Sequence, residues 1–196
     1  VAQNKIAARI GADILVKGGN AVDAAVAVAI AEAVTLPRAG NIGGGGYMLI
    51  HDAASKKTVA IEYYGQAPMG VTPDFLLGPD NKVSADKVQS FKGVTVPGTV
   101  AGLYEAHRRF GKLPWAKLIQ PAIDLASKGL VMSDDEATAL AQRHDAMAKD
   151  PGGALKVYFK KDGSAYQPGD VFRNPDLAWT LKQIQARGAD VMVAAA

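Results

Sequence analysis

A run of glycines in the first quarter of the chain constrains the fold more than any other stretch. Four successive glycines, Gly43 to Gly46, follow a long Ala/Val-rich segment and lead into the apolar, strand-like residues 47–50. Glycines lose more backbone entropy on folding than other residues, and they permit positive φ or a close backbone approach. We therefore expect another part of the chain, or a ligand, to lie unusually close to this run.

Phosphate binding is one reason for such a run, but the pattern fits it poorly. A dinucleotide fingerprint needs a third glycine where Met48 stands, and a helix rather than a strand after the glycines. A P-loop needs Lys and then Ser or Thr after the last glycine, where Tyr47 and Met48 stand. Two interpretations remain: close packing of the strand start against the Ala-rich helix, or a backbone that lines a substrate pocket.

Periodicity predicts an α+β chain with an early hairpin and a mainly helical remainder. The helix over residues 21–34 is apolar on almost every side, so we expect it in the interior. Its N-cap is Asn20, and we expect Pro121 to kink or divide its own helix. The predicted helices are 3–17, 21–34, 73–77, 99–110, 114–128, 134–148 and 176–187, with a surface loop at 78–89. The predicted strands are 47–51 and 58–64, both near the core, 94–96, and a second hairpin of 157–159 with 165–166.

Composition narrows the functional classes. The 196 residues are 48% hydrophobic and 21% charged, which is enough apolar material for the core of one domain. The net charge of +3 is dispersed, so nucleic acid is not an expected partner. The absence of cysteine excludes disulfides and thiolate chemistry within the chain. No apolar run is long enough to span a membrane. The start at Val1, and an apolar segment just beginning at residues 191–196, predict a portion of a longer polypeptide.

The residues alone reveal no convincing catalytic set. His51, His107 and His144 lack partners at metal-ligand spacing, and we expect each at the surface. The sequence contains no G-x-S-x-G motif for a serine nucleophile. Residues 133–136 (SDDE) are better explained as a capping box than as a catalytic cluster. The chain is therefore either a binding or structural piece, or a piece whose catalytic residues lie on another chain.

Four motifs, in order along the chain, resemble the gamma-glutamyltranspeptidase family. They are residues 18–27 (GGNAVDAAVA), 40–49 (GNIGGGGYML), 96–103 (VPGTVAGL) and 120–126 (QPAIDLA), and the resemblance extends from Ala7 to Asp190. It implies an N-terminal-nucleophile hydrolase fold, an αββα sandwich of which this chain gives part. It also implies a precursor that cleaves itself into two subunits, with residues 1–196 as a single domain portion at the front of the large subunit.

The resemblance places the catalytic machinery outside this chain. In the family the nucleophile is the N-terminal Thr of the small subunit, its α-amine can serve as the base, and the oxyanion donors come from the same subunit. We therefore expect no catalytic residue, no metal and no organic cofactor here. The expected partners are that small subunit and a small-molecule amide substrate. Bacterial relatives are commonly exported, which predicts a periplasmic or extracellular location.

One departure from the family pattern bears on the substrate. The family strand reads like Asp-Phe-Arg-Glu before Ala-Pro, and its Arg binds the α-carboxylate of the γ-glutamyl group. Here Tyr64 replaces that Arg and Gly65 replaces the Glu. We predict that Tyr63 and Tyr64 line an acyl pocket for a less charged or aromatic-contacting substrate. The alternative is that these neighbours point to opposite faces of the strand and one of them packs in the core.

Three functions remain open after the resemblance is considered. The first is a gamma-glutamyltranspeptidase-family amidohydrolase that cleaves or transfers γ-glutamyl or related acyl groups. The second is an amidase of the cephalosporin or glutaryl acylase type. The third is a catalytically silent binding module on the same fold.

Overall fold

Helices dominate the residues that the computed structural model describes, 1–150 and 152–193. The helices are α1 (Lys5–Val16), α2 (Ala21–Thr35), α3 (Ala85–Val88), α4 (Thr99–Phe110), α5 (Trp115–Lys128), α6 (Asp134–Ala141), α7 (His144–Ala148), α8 (Ala154–Tyr158), α9 (Pro175–Arg187) and α10 (Asp190–Val193). The strands are β1 (Tyr47–Asp52), β2 (Lys57–Glu62), β3 (Leu130–Val131) and β4 (Val171–Phe172). The predicted α+β class is confirmed, and the predicted element at the C-terminus begins as α10, with residues 194–196 outside the described part.

Helix α2 lies at the centre of the core, as its apolar surface predicts. A capping box starts it: Asn20 accepts a hydrogen bond from the Asp23 N–H, and the Asp23 carboxylate accepts one from the Asn20 N–H. The helix packs against α1, α4 and α5, and Ile30 at its centre is fully buried. Helix α9 covers α5, where the Trp115 indole N–H donates to the Ile184 carbonyl at 2.9 Å.

The hairpin of β1 and β2 has one buried face and one exposed face. The antiparallel register pairs Tyr47 with Glu62. Ile50 and Ile61 face the core, whereas Leu49 is 76% exposed. Both strands therefore lie near the core, as predicted, but each has only one face in it, because residues of a strand alternate between its two sides.

Several predicted boundaries are wrong where long-range packing decides the backbone. Residues 73–77 form turns that end in a bridge between Leu77 and Val83, and α3 interrupts the expected loop. The expected strand at 94–96 is reduced to one bridge. The helix expected over 134–148 breaks into α6 and α7, and Leu140 of α6 and Met147 of α7 both join the small apolar cluster that contains Phe172. Helix α5 runs unbroken through Pro121, because its buried face outweighs one lost N–H donor.

The second predicted hairpin is not formed as strands. Residues 157 and 158 lie in α8, although a turn does form, in which the Lys160 N–H donates to the Ser164 carbonyl at 2.9 Å. The rings of Tyr158 and Tyr166 pack on Phe172, with centroids 6.0 and 5.4 Å away. Burial of these rings in one cluster therefore overrides their β-propensity.

Candidate functional site

A cleft of about 530 Å³ opens where the chain leaves β2. One wall is the segment after β2, which includes Tyr63, Tyr64 and Gln66. The other wall is the start of α4, which includes Gly102 and Glu105. Both tyrosines that the sequence singled out therefore line one cleft, although both lie just beyond the end of β2 rather than within it.

Tyr63 faces the core side of this segment. Its N–H and carbonyl pair with the carbonyl and N–H of Gly46 at 2.9 and 3.2 Å, so ladder pairing continues past the end of β2. Its ring lies against Gly46 and Gly102, where any side chain would collide with the ring. Burial raises the pKa of the Tyr63 hydroxyl above its usual value, so this group is neutral at physiological pH.

Tyr64 faces the opposite side and is 61% exposed. Its ring stacks on that of Tyr47, with centroids 5.8 Å apart and an angle of 22° between the planes. The two neighbouring tyrosines thus occupy opposite faces, as period-two alternation requires, and Tyr63 packs against the core. Tyr64 is the more accessible of the two to a ligand.

The charged groups that line the cleft are carboxylates. Glu62 and Glu105 both lie at its walls, and the described lining contains no Lys, Arg or His. Glu105 accepts hydrogen bonds from Arg108, which hold the pKa of its carboxyl below the usual value. The cleft itself therefore offers a carboxylate ligand only neutral hydrogen-bond donors, such as the tyrosine hydroxyls and Gln66.

The glycine run is hydrogen-bonded to both walls of this cleft, through Gly44 to the start of α4 and through Gly46 to Tyr63. The Gly44 carbonyl accepts hydrogen bonds from the N–H groups of Gly98 and Thr99, at 2.8 and 3.1 Å. These donors are at the start of α4, which is where a helix would bind an anion. A phosphate cradle at this point is thus replaced by a contact within the chain.

Close packing explains the glycine run, but the run packs against a different part of the chain from the Ala-rich helix that we expected. A side chain on Gly45 would lie 2.5 Å from the backbone nitrogen of Gly65, so the run packs on the segment after β2. Gly40 is the glycine that lies against the Ala-rich helix, over the Glu32 carbonyl. Gly43 has open space around it.

The three histidines lie on separate elements, β1, α4 and α7. His51 contacts Thr58, and His144 contacts Asp145, both near the surface. His107 differs from the expectation of a solvated side chain: its Nε2–H donates to the Leu113 carbonyl at 2.7 Å, and it packs beside Trp115. Within the described residues, no three His, Asp or Glu side chains form a group that could hold a metal ion.

The capping interpretation of residues 133–136 is half right. The Ser133 hydroxyl accepts from the Glu136 N–H at 3.2 Å, as a cap should. Glu136 does not complete the box; its carboxylate instead contacts the Arg38 guanidinium, with Nε and Oε1 3.0 Å apart. The sequence carried no signal for this pair, because the two residues are far apart along the chain.

Among the described helices, none is both long and apolar enough to cross a membrane.

Comparison with known proteins identifies the family. A sequence model described as gamma-glutamyltranspeptidase matches residues 7–193. The glutathione hydrolase proenzyme of Pseudomonas aeruginosa is 42% identical over 190 residues, which cover 96% of this chain and 33% of that protein. The chain thus spans about a third of the length of this curated relative.

Solved structures agree in fold. The gamma-glutamyltranspeptidase of Helicobacter pylori superposes with a TM-score of 0.93 at 38% identity, over 97% of this chain and 54% of that one. A cephalosporin acylase from Bacillus halodurans gives a TM-score of 0.79 at 29% identity, over 92% of this chain and 34% of that one. The N-terminal-nucleophile hydrolase fold implied by the resemblance is therefore confirmed. The chain belongs to the gamma-glutamyltranspeptidase family and corresponds to a portion of its large subunit.

Proposed function

We propose that this chain is the large-subunit portion of an amidohydrolase of the gamma-glutamyltranspeptidase family that cleaves or transfers acyl groups from amides. The observation that carries the proposal is the family match over residues 7–193. The relative from P. aeruginosa is named a proenzyme, which supports a precursor that is cleaved into two subunits. In this proposal residues 1–196 form one domain portion, and the mature protein is exported to the periplasm or the extracellular space.

The proposed chemistry takes place on the partner subunit. The hydroxyl of its N-terminal Thr attacks the amide carbonyl while the Thr α-amine takes the hydroxyl proton. The tetrahedral intermediate collapses, the amine leaves with a proton, and an acyl ester remains on Thr. Water or an acceptor amine then releases the acyl group. This chain contributes the cleft beside β2, where Tyr63 and Tyr64 form part of the acyl-binding wall.

The charged groups of the cleft indicate which kind of acyl group it prefers. Tyr64 stands where the family places an Arg, and the described lining offers carboxylates but no cation. A hydrogen bond from a charged donor contributes about 1.5–3 kcal/mol against about 0.5–1.5 for a neutral one. We therefore propose that substrates without a carboxylate in the acyl group are preferred over γ-glutamyl substrates. The similarity to a cephalosporin acylase supports an acylase-type amidase as the second candidate.

Two measurements on the intact protein test the proposal. Intact mass after expression should show two fragments, the second beginning with Thr. A panel of γ-glutamyl, glutaryl and plain acyl anilides should then show cleavage, with the plain acyl anilide preferred. A single uncleaved mass and no turnover would favour the catalytically silent binding module instead. Preference for the glutaryl anilide would favour the acylase.

The role of Tyr64 is tested by Tyr64→Arg, which restores the cation. We expect kcat/KM for the γ-glutamyl anilide to rise about tenfold or more, since one charged hydrogen bond is worth that factor. Trp179→Arg is the matched control, because Trp179 is 65% exposed on α9 and outside the cleft. If both variants leave the γ-glutamyl rate unchanged, Tyr64 does not determine specificity.

A further inference from the structure

Arg38 joins more distant parts of the described chain than any other ion-pairing residue there. It lies in the loop between α2 and the glycine run, and its guanidinium contacts Asp135 and Glu136 at the start of α6. The separation along the chain is 97 residues for Asp135. The other ion pairs of the described residues join residues close in sequence, and the pair with the largest separation along the chain is Lys160 with Asp170.

The carboxylate of Glu136 depends on Arg38. Glu136 is 2% exposed, its Oε1 contacts Arg38, and its Oε2 has no hydrogen-bond partner among the described residues. Burial raises the pKa of this carboxyl, and the nearby Arg38 charge opposes the rise. Removing the only charge partner of a buried acid strongly destabilises the folded protein, because the remaining charge is left uncompensated. The pair therefore links the loop that carries Arg38 to the start of α6, and removal of the guanidinium alone would leave a buried charge unpaired.

Hydrogen bonds lead from this loop to the cleft. The Gly40 N–H donates to the Leu36 carbonyl at 2.7 Å, so the loop is folded back on the end of α2. Next along the chain, the Asn41 side chain donates to the Ala39 carbonyl at 3.2 Å and accepts from the Thr99 hydroxyl at 3.1 Å.

The glycine run completes the connection. The Gly44 carbonyl accepts from two N–H groups at the start of α4, one of them that of Thr99. Gly46 then pairs with Tyr63 through both backbone groups. A shift of the Arg38 loop would therefore be passed to both walls of the cleft.

We propose that Arg38 is a positioning residue: by attaching the loop of residues 36–40 to α6, it sets the glycine run and, through it, Tyr63 and the start of α4. The loop carries no group into the cleft itself, so Arg38 acts only through its neighbours. The consequence for substrate binding rests on the proposed function, whereas the structural part does not.

Hydrogen–deuterium exchange of the intact protein tests the structural part. Arg38→Met keeps the apolar stem and removes the guanidinium. We expect the N–H groups of Gly46, Gly98 and Thr99 to exchange about five- to thirtyfold faster, the factor that corresponds to a modest loss of local stability. Lys160→Met is the matched control: its ion pair is 2.7 Å long, and Lys160 is 35% exposed where Arg38 is 32% exposed. Unchanged exchange at these three amides in Arg38→Met would overturn the proposal.

A double variant separates positioning from charge compensation. Arg38→Met/Glu136→Gln removes the uncompensated buried charge, so the protein should fold even if Arg38→Met alone does not. If Arg38 positions the loop, exchange in the glycine run stays fast although global stability recovers. Recovery of slow exchange together with stability would mean that Arg38 only neutralises Glu136, and the proposal would fail.

Kinetics then connect the attachment to catalysis. In the double variant we expect KM for the preferred anilide to rise about tenfold while kcat changes little, because the nucleophile lies on the other subunit. A merely structural role would lower the amount of active protein without changing KM. If the wild type cleaves none of the anilides, the proposed function fails, and the exchange data alone decide whether Arg38 positions the segment.

Discussion

Asp23→Asn is the most direct test of how this fold is held together. Asp23 is 0% exposed, and no cation pairs with it among the described residues. Its carboxylate accepts hydrogen bonds from the N–H groups of Asn20, Lys112 and Leu113 at 3.0–3.2 Å. These contacts join the start of α2 to the connection between α4 and α5, so one side chain holds three helices in register.

The expected loss of unfolding free energy in Asp23→Asn follows from the contacts of the two carboxylate oxygens. Oδ2 accepts from Asn20 and Leu113, whereas the Lys112 N–H is shared by both oxygens, with its shorter contact to Oδ1. Asn keeps one oxygen and replaces the other by a donor, so one or two backbone N–H groups must face another N–H. A buried donor that loses its acceptor costs about 1–3 kcal/mol. We expect unfolding free energy to fall by about 2–4 kcal/mol, a large share of the 5–15 kcal/mol that is typical of a domain.

Urea unfolding of the intact protein, followed by tryptophan fluorescence, measures this loss. Trp115 reports on the same region because it lies at the start of α5. Asp52→Asn is the control: Asp52 also accepts from two backbone N–H groups, those of Ala54 and Ser55, but in an exposed turn. We expect little change there. If Asp23→Asn shifted the urea midpoint no more than the control at equal m-value, the buried contacts would not carry the stability assigned to them.

Three further predictions concern the cleft and its supports. Gly45→Ala should destabilise by about 1–3 kcal/mol through a backbone clash, whereas Gly43→Ala, in open space, should be nearly neutral in the same urea assay. Burial raises the pKa of Glu136 above its ordinary 4.5, so the wild type should lose stability relative to Glu136→Gln as pH rises above about 4.5; a flat or rising difference in a pH series would contradict this. Tyr63→Ala should cost about 2–4 kcal/mol and Tyr64→Ala less than about 1, as thermal unfolding would show, because only Tyr63 packs in the core.

Local physics made much of the fold predictable. Asn20 and Asn174 each precede a helix and accept a backbone hydrogen bond from the residue three positions ahead, which sequence spacing reveals. Gly111 and Gly129 follow the ends of α4 and α5 as predicted. In each case the decisive partners are neighbours in the chain.

Structure that depends on contacts between distant residues could not be predicted from the sequence in this way. The segments around Tyr158 and Tyr166 have the composition of a hairpin, but both rings pack on Phe172, and this packing determines the backbone conformation. Glu136 has the spacing of a capping box, but it contacts Arg38 from a distant loop. Nothing in the order of residues names these partners, so the ion pair of Arg38 with Glu136 could not be predicted.

Residue 64 can change more freely than its neighbour, residue 63. Tyr63 fills the space between two glycines, Gly46 and Gly102, and both of its backbone groups are paired, so few other side chains fit there. Tyr64 stacks on the ring of Tyr47 on an exposed face, so a longer or charged side chain there would extend towards solvent. The fold therefore fixes one tyrosine and leaves the other free to vary. Because the free one lines the cleft, the proposed function predicts that substitutions at residue 64 change acyl specificity without loss of the core packing of residue 63.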